Sequence, residues 1–299
     1  MKAEQEISRM LRPKRCSNRV VSFARRLDTV KISLWAVLIL VTASWAFIFT
    51  ADGASLTAYF SARNLYYAKK FFSNMLGLGS EAPAFLLAEN WLNGLKLTYE
   101  TLQMSVLAIG FSAIGMLFTV IPAARTAADG SLTLKSTWYG WLAFGFIRLL
   151  YIFSRAVPEL VWAMLIIFIF KPGILPGALA LGLHNFGILG KLCAEVVEDL
   201  DLRPIRSLRA SGAGTWQLLF YGVFPAVTPK FLTFLLYRWE VIIRTTIIVG
   251  FVGAGGLGRQ FKLSMSWFHY TDITLLLICY FLLVIFADLC SGLLRRLAQ

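Results

Sequence analysis

The sequence predicts an all-α polytopic membrane protein with six transmembrane helices, and three observations predict it. Apolar residues make up 58% of the chain and charged residues only 15%, whereas a soluble domain is near half apolar and about a quarter charged. The apolar residues gather in runs near or above about 18 residues, the length that crosses a bilayer. The heavily basic segments alternate with these runs so that all of them fall on one side. A formal charge of +13 in a soluble protein would point to nucleic acid. Here Lys and Arg holding cytoplasmic loops account for it, and the expected partner is the lipid bilayer, not nucleic acid.

Met1 to Lys31 is a polar tail carrying Arg9, Arg12, Lys14, Arg15, Arg19, Arg25 and Arg26. It places the start of the first span, Ile32 to Thr50, in the cytoplasm. No small-residue cleavage site follows that span, which reads as a retained signal anchor. Ala51 to Leu97 is then extracytoplasmic. Its middle, SARNLYYAKKFFSNMLGLG, mixes aromatic and basic residues. It reads as a helix lying in the outer interface, or as a contact surface for an external partner.

The second span, Thr98 to Ile121, returns to the cytoplasm and ends at Pro122 and the loop AARTAADGSLTLKS. Trp138 to Phe170 is too long for one span at about 1.5 Å per residue. Its Arg148, Arg155, Pro158 and Glu159 predict a cytoplasmic-side approach followed by a kinked span running outward. After the turn KPGILP, Gly177 to Val197 goes back in and carries His184 and Lys191. A polar loop, Glu198 to Pro225, follows in the cytoplasm. Ala226 to Val249 goes out, a glycine-rich external loop GFVGAGGLGRQF follows, and Ile273 to Leu294 returns to Arg295 and Arg296. Both termini are expected in the cytoplasm. The chain divides into the tail 1–31, a first span with its external segment 32–97, a multi-span core 98–294 holding the loop 199–225, and a terminus 295–299.

The loop is the longest strongly charged interval in the second half of the chain. Arg203-Pro204 opens a helix, because proline suits the first helical turn. Ile205, Leu208 and Arg209 define one short helix, which Gly212 ends in the left-handed conformation. Thr215 is expected to cap a second, carrying Trp216, Leu219 and Phe220. Periodicity alone leaves two readings: a knob that docks into a partner, or an interfacial loop resting on anionic lipid.

Gly212, Ala213, Trp216, Gln217 and Pro225, at this spacing, resemble the cytoplasmic "EAA" loop of binding-protein-dependent ABC importer permeases. AVPELVWA (Ala156 to Ala163), GILGKLCAEVVE (Gly187 to Glu198), LYRWEVIIRTT (Leu236 to Thr246) and VGAGGLG (Val252 to Gly258) resemble the phosphonate/phosphite importer permease. The resemblance covers roughly the last two-thirds of the chain. It implies a type I importer permease fold and a coupling loop that docks on a separate ATPase. Residues so implicated are Arg206, Leu208, Arg209, Ser211, Gly212, Ala213, Thr215, Trp216 and Pro225. It also implies a pair of ATPase subunits carrying ATP and Mg, an external solute-binding protein, a second permease copy, and no cofactor in this chain. The chain departs from the pattern at its name-giving acid: that slot is Arg206, and the alanine slots are Ser207 and Leu208. Ile242 stands where an asparagine is usual. If that position touches substrate, a different oxyanion is expected.

Arg238, Glu240 and Arg244 lie inside a span, where a charge costs at least about 2.5 kcal/mol and needs a partner or water. Glu240 and Arg244 are spaced to pair along one helix. Arg238 is left to find Glu159 or Glu195 on a neighbour. Alternatively these charges line a path for an anion, which arginine suits. The candidate path and gate residues are Arg238, Glu240, Arg244, Glu159, Arg155, His184, Gly253, Gly255 and Gly256; for His184 a packing role is the plain alternative.

Two motifs are refused. Gly253, Gly255 and Gly258 spell G-x-G-x-x-G, but no βαβ unit surrounds them; in the resembled family this is a bend beside the external gate. There is no G-x-x-x-x-G-K-[ST], so an ABC reading needs a separate ATPase chain. The four cysteines (Cys16, Cys193, Cys279, Cys290) form no CxxC pair and predict no disulfide, metal or redox role. A stand-alone secondary transporter or channel for a small anion would explain the buried charges equally well, but predicts internally repeated broken helices. A membrane enzyme acting on lipid phosphate would need a cluster of His, Asp or Ser. The chain itself is therefore expected to be a transporter subunit and not an enzyme.

Overall fold

The computed structural model describes residues 17–51, 60–78, 82–132 and 136–298. Most of the basic tail, with Arg9, Arg12, Lys14, Arg15 and Cys16, lies outside them. Every described element is helical. The chain forms two compact units, residues 1–70 and 71–299.

The first unit holds α1 (Ser17–Ala51) and most of α2 (Ala62–Met75). Residues Thr29–Thr50 of α1 are long and apolar enough to cross a membrane, and none is buried. Its threonines turn inward on their own backbone: Thr42 Oγ1 donates to Leu38 O at 2.9 Å and Thr50 Oγ1 to Ala46 O at 2.8 Å. That removes two hydroxyls from the cost of burial in lipid. The helix begins before the expected Ile32, because no breaker separates the end of the tail from the apolar run.

The second unit begins with the end of α2 and a short turn, Ala84–Leu86. It continues with α3 (Ala88–Thr119), the one-turn α4 (Arg125–Ala128), α5 (Trp138–Ala156), α6 (Glu159–Phe170) and α7 (Ile174–Glu198). Two short helices follow, α8 (Arg203–Ala210) and α9 (Thr215–Gln217). A π-helical turn (Leu218–Val223) joins α9 to α10 (Phe224–Val249). A second π-helical turn (Gly250–Ala254), α11 (Gly256–Ser266) and α12 (Tyr270–Ala298) complete it. Among the described residues five helices satisfy length and apolarity, and the pair α5–α6, bent by 92°, makes a sixth if it is one span. The bend has the expected cause: Val157 is extended (φ −81, ψ 123) ahead of Pro158, as a pre-proline residue prefers.

In the second unit two boundaries differ most from expectation. Helix α3 starts at Ala88, ahead of Thr98. Its first turns carry Glu89, Asn90, Asn93 and Lys96, which lower hydropathy without breaking a helix. They are fixed by Trp91 Nε1 donating to Phe85 O (2.8 Å) and Asn90 Nδ2 to Ala84 O (3.2 Å). The expected glycine-rich loop is helical over most of its length, first as the π-helical turn Gly250–Ala254 and then as the start of α11. Its chain reversal is confined to Gly253, Gly255 and Gly256, at φ 108, 97 and 62. The N-terminal amides of α11 are then taken by α3, with Gly256 N donating to Glu100 Oε2 (3.3 Å) and Leu257 N to Thr101 Oγ1 (2.9 Å).

Helix α7 is the hub. It packs on α3, α5, α6 and α10, and its small residues let their backbones come close. A Cβ on Gly187 would lie 2.6 Å from Tyr151 O, and one on Gly190 2.3 Å from the Tyr151 ring. Polar side chains bridge α7 to α3 and α5, and α3 to α5. Ser112 Oγ donates to Gly182 O (2.8 Å), Ser154 Oγ donates to Leu183 O, and the Thr119 and Tyr151 hydroxyls share a hydrogen bond at 2.7 Å. Removing the last by Tyr151→Phe is expected to cost about 1 kcal/mol, read as a lower midpoint in thermal unfolding of the solubilised chain.

Candidate functional site

The loop after α7 folds as a two-helix knob. Pro204 sits in the first turn of α8. Gly212, at φ 85, ends it: Gly212 N donates to Arg209 O (2.9 Å) and Ala213 N to Leu208 O (3.2 Å), a glycine C-terminal cap. The second helix differs in one detail. Thr215 does not cap it. Gly214 holds the cap position, and Gln217 Oε1 reaches back to accept from Gly214 N at 2.8 Å. The Gln217 contact fixes the extended backbone one residue earlier, so Thr215 falls inside the first turn.

The knob is built into the core. Ile205, Leu218, Leu219 and Val223 are buried with Met116, Val120, Ala123, Ala124, Leu132 and Val197, and Leu208 and Ala213 pack against them. One carboxylate ties the floor beneath. Glu198 Oε1 accepts from Arg125 N (2.6 Å) and from Arg148 Nη2 (2.5 Å), and Arg148 Nε also donates to Ala123 O (2.9 Å). The outer surface carries Arg206, Ser211, Gly212, Thr215, Trp216 and Pro225, all exposed, and Arg209, half-buried. Trp216 stacks along Phe220 at 6.2 Å between centroids, and the indole is 73% exposed. The Arg206 guanidinium has no partner among the described residues. A free cation and an exposed aromatic strip on a rigid seat are suited to docking.

A second polar cluster lies where α6, α7 and α10 meet. Arg238 donates through Nε (2.9 Å) and Nη2 (2.5 Å) to Asn185 Oδ1, and Asn185 Nδ2 donates to Leu181 O (2.8 Å). Arg238 therefore hydrogen-bonds neither Glu159 nor Glu195. Glu159 acts on it at longer range, and Glu195 pairs with Lys191 at 3.4 Å. An amide oxygen can reach the guanidinium across the close α7–α10 contact, where no carboxylate is placed. His184 Nδ1 lies 2.9 Å from Val157 O, and Nε2 3.6 Å from Glu159 Oε2. Since a carbonyl only accepts, Nδ1 carries a proton. Val157 lost its place in a helix to the proline, so His184 also satisfies a carbonyl at the bend. Arg155 has no hydrogen bond or ion pair among the described residues. Sequence reasoning missed Asn185, although an amide beside His184 in mid-span was a visible signal.

Glu240 and Arg244 do not pair with each other. Arg295 Nη2 donates to Glu240 Oε1 (2.7 Å), and Arg244 Nη2 donates to Asp288 Oδ1 (3.0 Å) and Oδ2 (3.3 Å). The two residues do share a face of α10, but α12 packs along it and presents opposite charges two turns apart. Pairing between helices satisfies four charges where pairing within α10 would satisfy two. Asp288, an acid inside an apolar run, was the overlooked signal. Glu240→Arg and Arg295→Glu are each expected to lower the yield of folded protein. The double exchange should recover most of it, as a double-mutant cycle would register.

Ile242 is fully buried among Met104, Ala108, Ala178 and Leu181. Its side chain fills a core position. Gly253, Gly255 and Gly256 make the bend between α10 and α11, where no strand precedes them. Cys193 and Cys279 are buried thiols.

The family described as "Binding-protein-dependent transport system inner membrane component" matches residues 121–299. The phosphite transport system permease protein PtxC of Stutzerimonas stutzeri is 35% identical over 72% of this chain and 73% of its own length. The phosphate-import permease protein PhnE of Mycolicibacterium smegmatis is 32% identical over 63% of this chain and 34% of its own. Among solved structures, the MetNI methionine ABC transporter in inward-facing conformations aligns with TM-score 0.58 and 15% identity over 69% of this chain and 95% of that one. A bacterial alginate ABC transporter aligns with TM-score 0.52 and 13% identity over 90% and 97%. At such identities the likeness is one of fold, and that fold is the type I importer permease. With six potential spans, a seated knob after the fourth, and a family match over its C-terminal part, the chain belongs to the inner-membrane permease family of binding-protein-dependent ABC transport systems.

Proposed function

We propose that this chain is the inner-membrane permease subunit of an ATP-driven importer for a phosphorus oxyanion: phosphite or a phosphonate. The observation that carries the mechanism is the knob's seat. It is a rigid, exposed element whose buried side joins the ends of α3 and α7 and continues into α10. The similarity to a phosphite permease supports the substrate class.

The chain works as a homodimer. Two separate ATPase subunits hold ATP and Mg, and an external binding protein delivers the solute. The knob lies on the cytoplasmic side. Closure of the ATPase pair pushes both knobs, and the attached helices swing so that the central cavity opens outward. Arg238, Glu159, His184 and Arg155 shape the passage, with Asn185 orienting Arg238. Glu240 and Arg244 hold α12 to α10, and Gly253, Gly255 and Gly256 form the bend beside the outer gate. The guanidinium of Arg238 is already shared with Asn185. It can attract an anion without trapping it, as a path requires.

The test is Arg206→Glu, which restores the acid usual in the resembled loop. If Arg206 meets an acid on a co-adapted ATPase, uptake falls about tenfold or more, because reversing one partner of a docked charge pair costs about 2 kcal/mol or more. The folded chain should survive, since Arg206 supports nothing in it. Unchanged uptake would sink that contact. Recovery of the tagged chain without an ATPase, with uptake indifferent to ATP, would sink the importer itself.

A further inference from the structure

Helix α2 is not accounted for by transport. Its sequence, ARNLYYAKKFFSNM, writes two parallel stripes. Leu65, Ala68, Phe72 and Met75 follow one helical face, and Arg63, Tyr66, Lys70 and Ser73 follow another at the same spacing. No residue of the helix is buried. From Phe60 to Leu78 the chain has three cations (Arg63, Lys69, Lys70) and no acid. Such a helix is too short to span, at about 21 Å, and too apolar on one side to stand in water.

Its C-terminal end is pinned to the start of a span. Thr274 Oγ1 donates to Met75 O at 2.7 Å, and Phe71 meets Tyr270 edge-on at 5.5 Å. Tyr270 opens α12, whose apolar run follows at once, and Phe268 lies 6.3 Å from it in the turn before. Aromatic rings at the mouth of a span mark the headgroup level. The pin therefore holds the end of α2 at a bilayer surface.

We infer that α2 is an interfacial anchor whose apolar stripe enters the acyl boundary and whose Arg63, Lys69 and Lys70 take anionic phospholipid headgroups. The charge pattern supports lipid as the occupant. Its three cations stand beside a face of Leu, Phe and Met, as a membrane-surface helix requires. Free oxyanion would need the cations but would leave the apolar stripe unexplained.

The test uses the full chain in vesicles, with Cys16 and Cys290 replaced by serine. A nitroxide is placed at Phe72→Cys or, on the other stripe, at Tyr66→Cys. In vesicles of phosphatidylcholine with phosphatidylglycerol, the label at 72 should be accessible to oxygen and shielded from a water-soluble nickel relaxant, and the label at 66 the reverse. Each of Arg63→Gln, Lys69→Gln and Lys70→Gln should lower the ratio of docked to undocked label about fivefold, the worth of one cation at an anionic surface. Phosphatidylcholine alone should lower it likewise. Equal exposure of both labels to nickel would overturn the anchor. A ratio indifferent to phosphatidylglycerol but shifted by added inorganic phosphate would overturn lipid as its ligand.

Discussion

Replacing Gly258 with valine is expected to leave no monodisperse protein in detergent extracts of the membrane. Helix α11 folds back on the end of α10 so closely that a Cβ at Gly258 would lie 2.3 Å from Ile247 O and 2.9 Å from Gly250 Cα. Both neighbours are backbone, so no side-chain rotation can relieve the collision. Overpacking against side chains already costs about 1–3 kcal/mol. Here the α10–α11 turn must open, which also pulls Gly256 N and Leu257 N away from Glu100 and Thr101. A loss of that size exhausts a stability of about 5–15 kcal/mol only if other contacts go with it, and these do. Gly110→Ala is the control. It has no atom within 4 Å, and the exchange improves helix propensity by about 1 kcal/mol. Size-exclusion profiles of the two variants distinguish the outcomes, and a normal profile for Gly258→Val would contradict the close crossing.

Arg238→Ala is expected to abolish uptake and to lower stability by about 1.5–3 kcal/mol, the worth of a hydrogen bond to a charged group. The larger part comes from what is left behind. Asn185 is 1% exposed, and without Arg238 its Oδ1 loses both donors. Glu159 also loses a guanidinium on which it acts. Pairing Arg238→Met with Asn185→Leu removes both partners together and should recover most of the stability. If Arg238 shapes the anion path, the paired variant remains inactive although it folds, which a thermal midpoint and an uptake assay report separately. Recovery of uptake in the paired variant would reduce the cluster to a packing device.

The spans were legible because bilayer burial writes long apolar runs, and Pro158 and Gly212 mark breaks that only local backbone chemistry decides. The knob was legible for the same reason, down to the residue that reverses it. What sequence reading misplaced depends on which helices become neighbours. Glu240 and Arg244 have the right spacing to pair, and nothing local says that Asp288 and Arg295 will arrive beside them. Arg238 was matched to acids because charge is visible in a sequence, whereas the reach of an amide from α7 is not. Helix α11 hid in a run of glycines because its amides are satisfied by Glu100 and Thr101, residues more than a hundred positions earlier.

On its α10 side the knob has no break. Helix α9 passes through a π-helical turn into α10 without leaving helical geometry, and Val223 and Val227 keep that passage buried. From Phe224 to Arg238 the helix runs about 21 Å with Pro229 inside it, and in the proposed mechanism it would carry the displacement over that length. The clamp through Glu240 and Arg244 would then pass it sideways to α12. On the proposed mechanism, a push at Trp216 would meet a lever with its load already attached. The backbone also breaks at Val157-Pro158 and at Gly253–Gly256, and in the proposed mechanism these are two of the joints about which such a lever would turn.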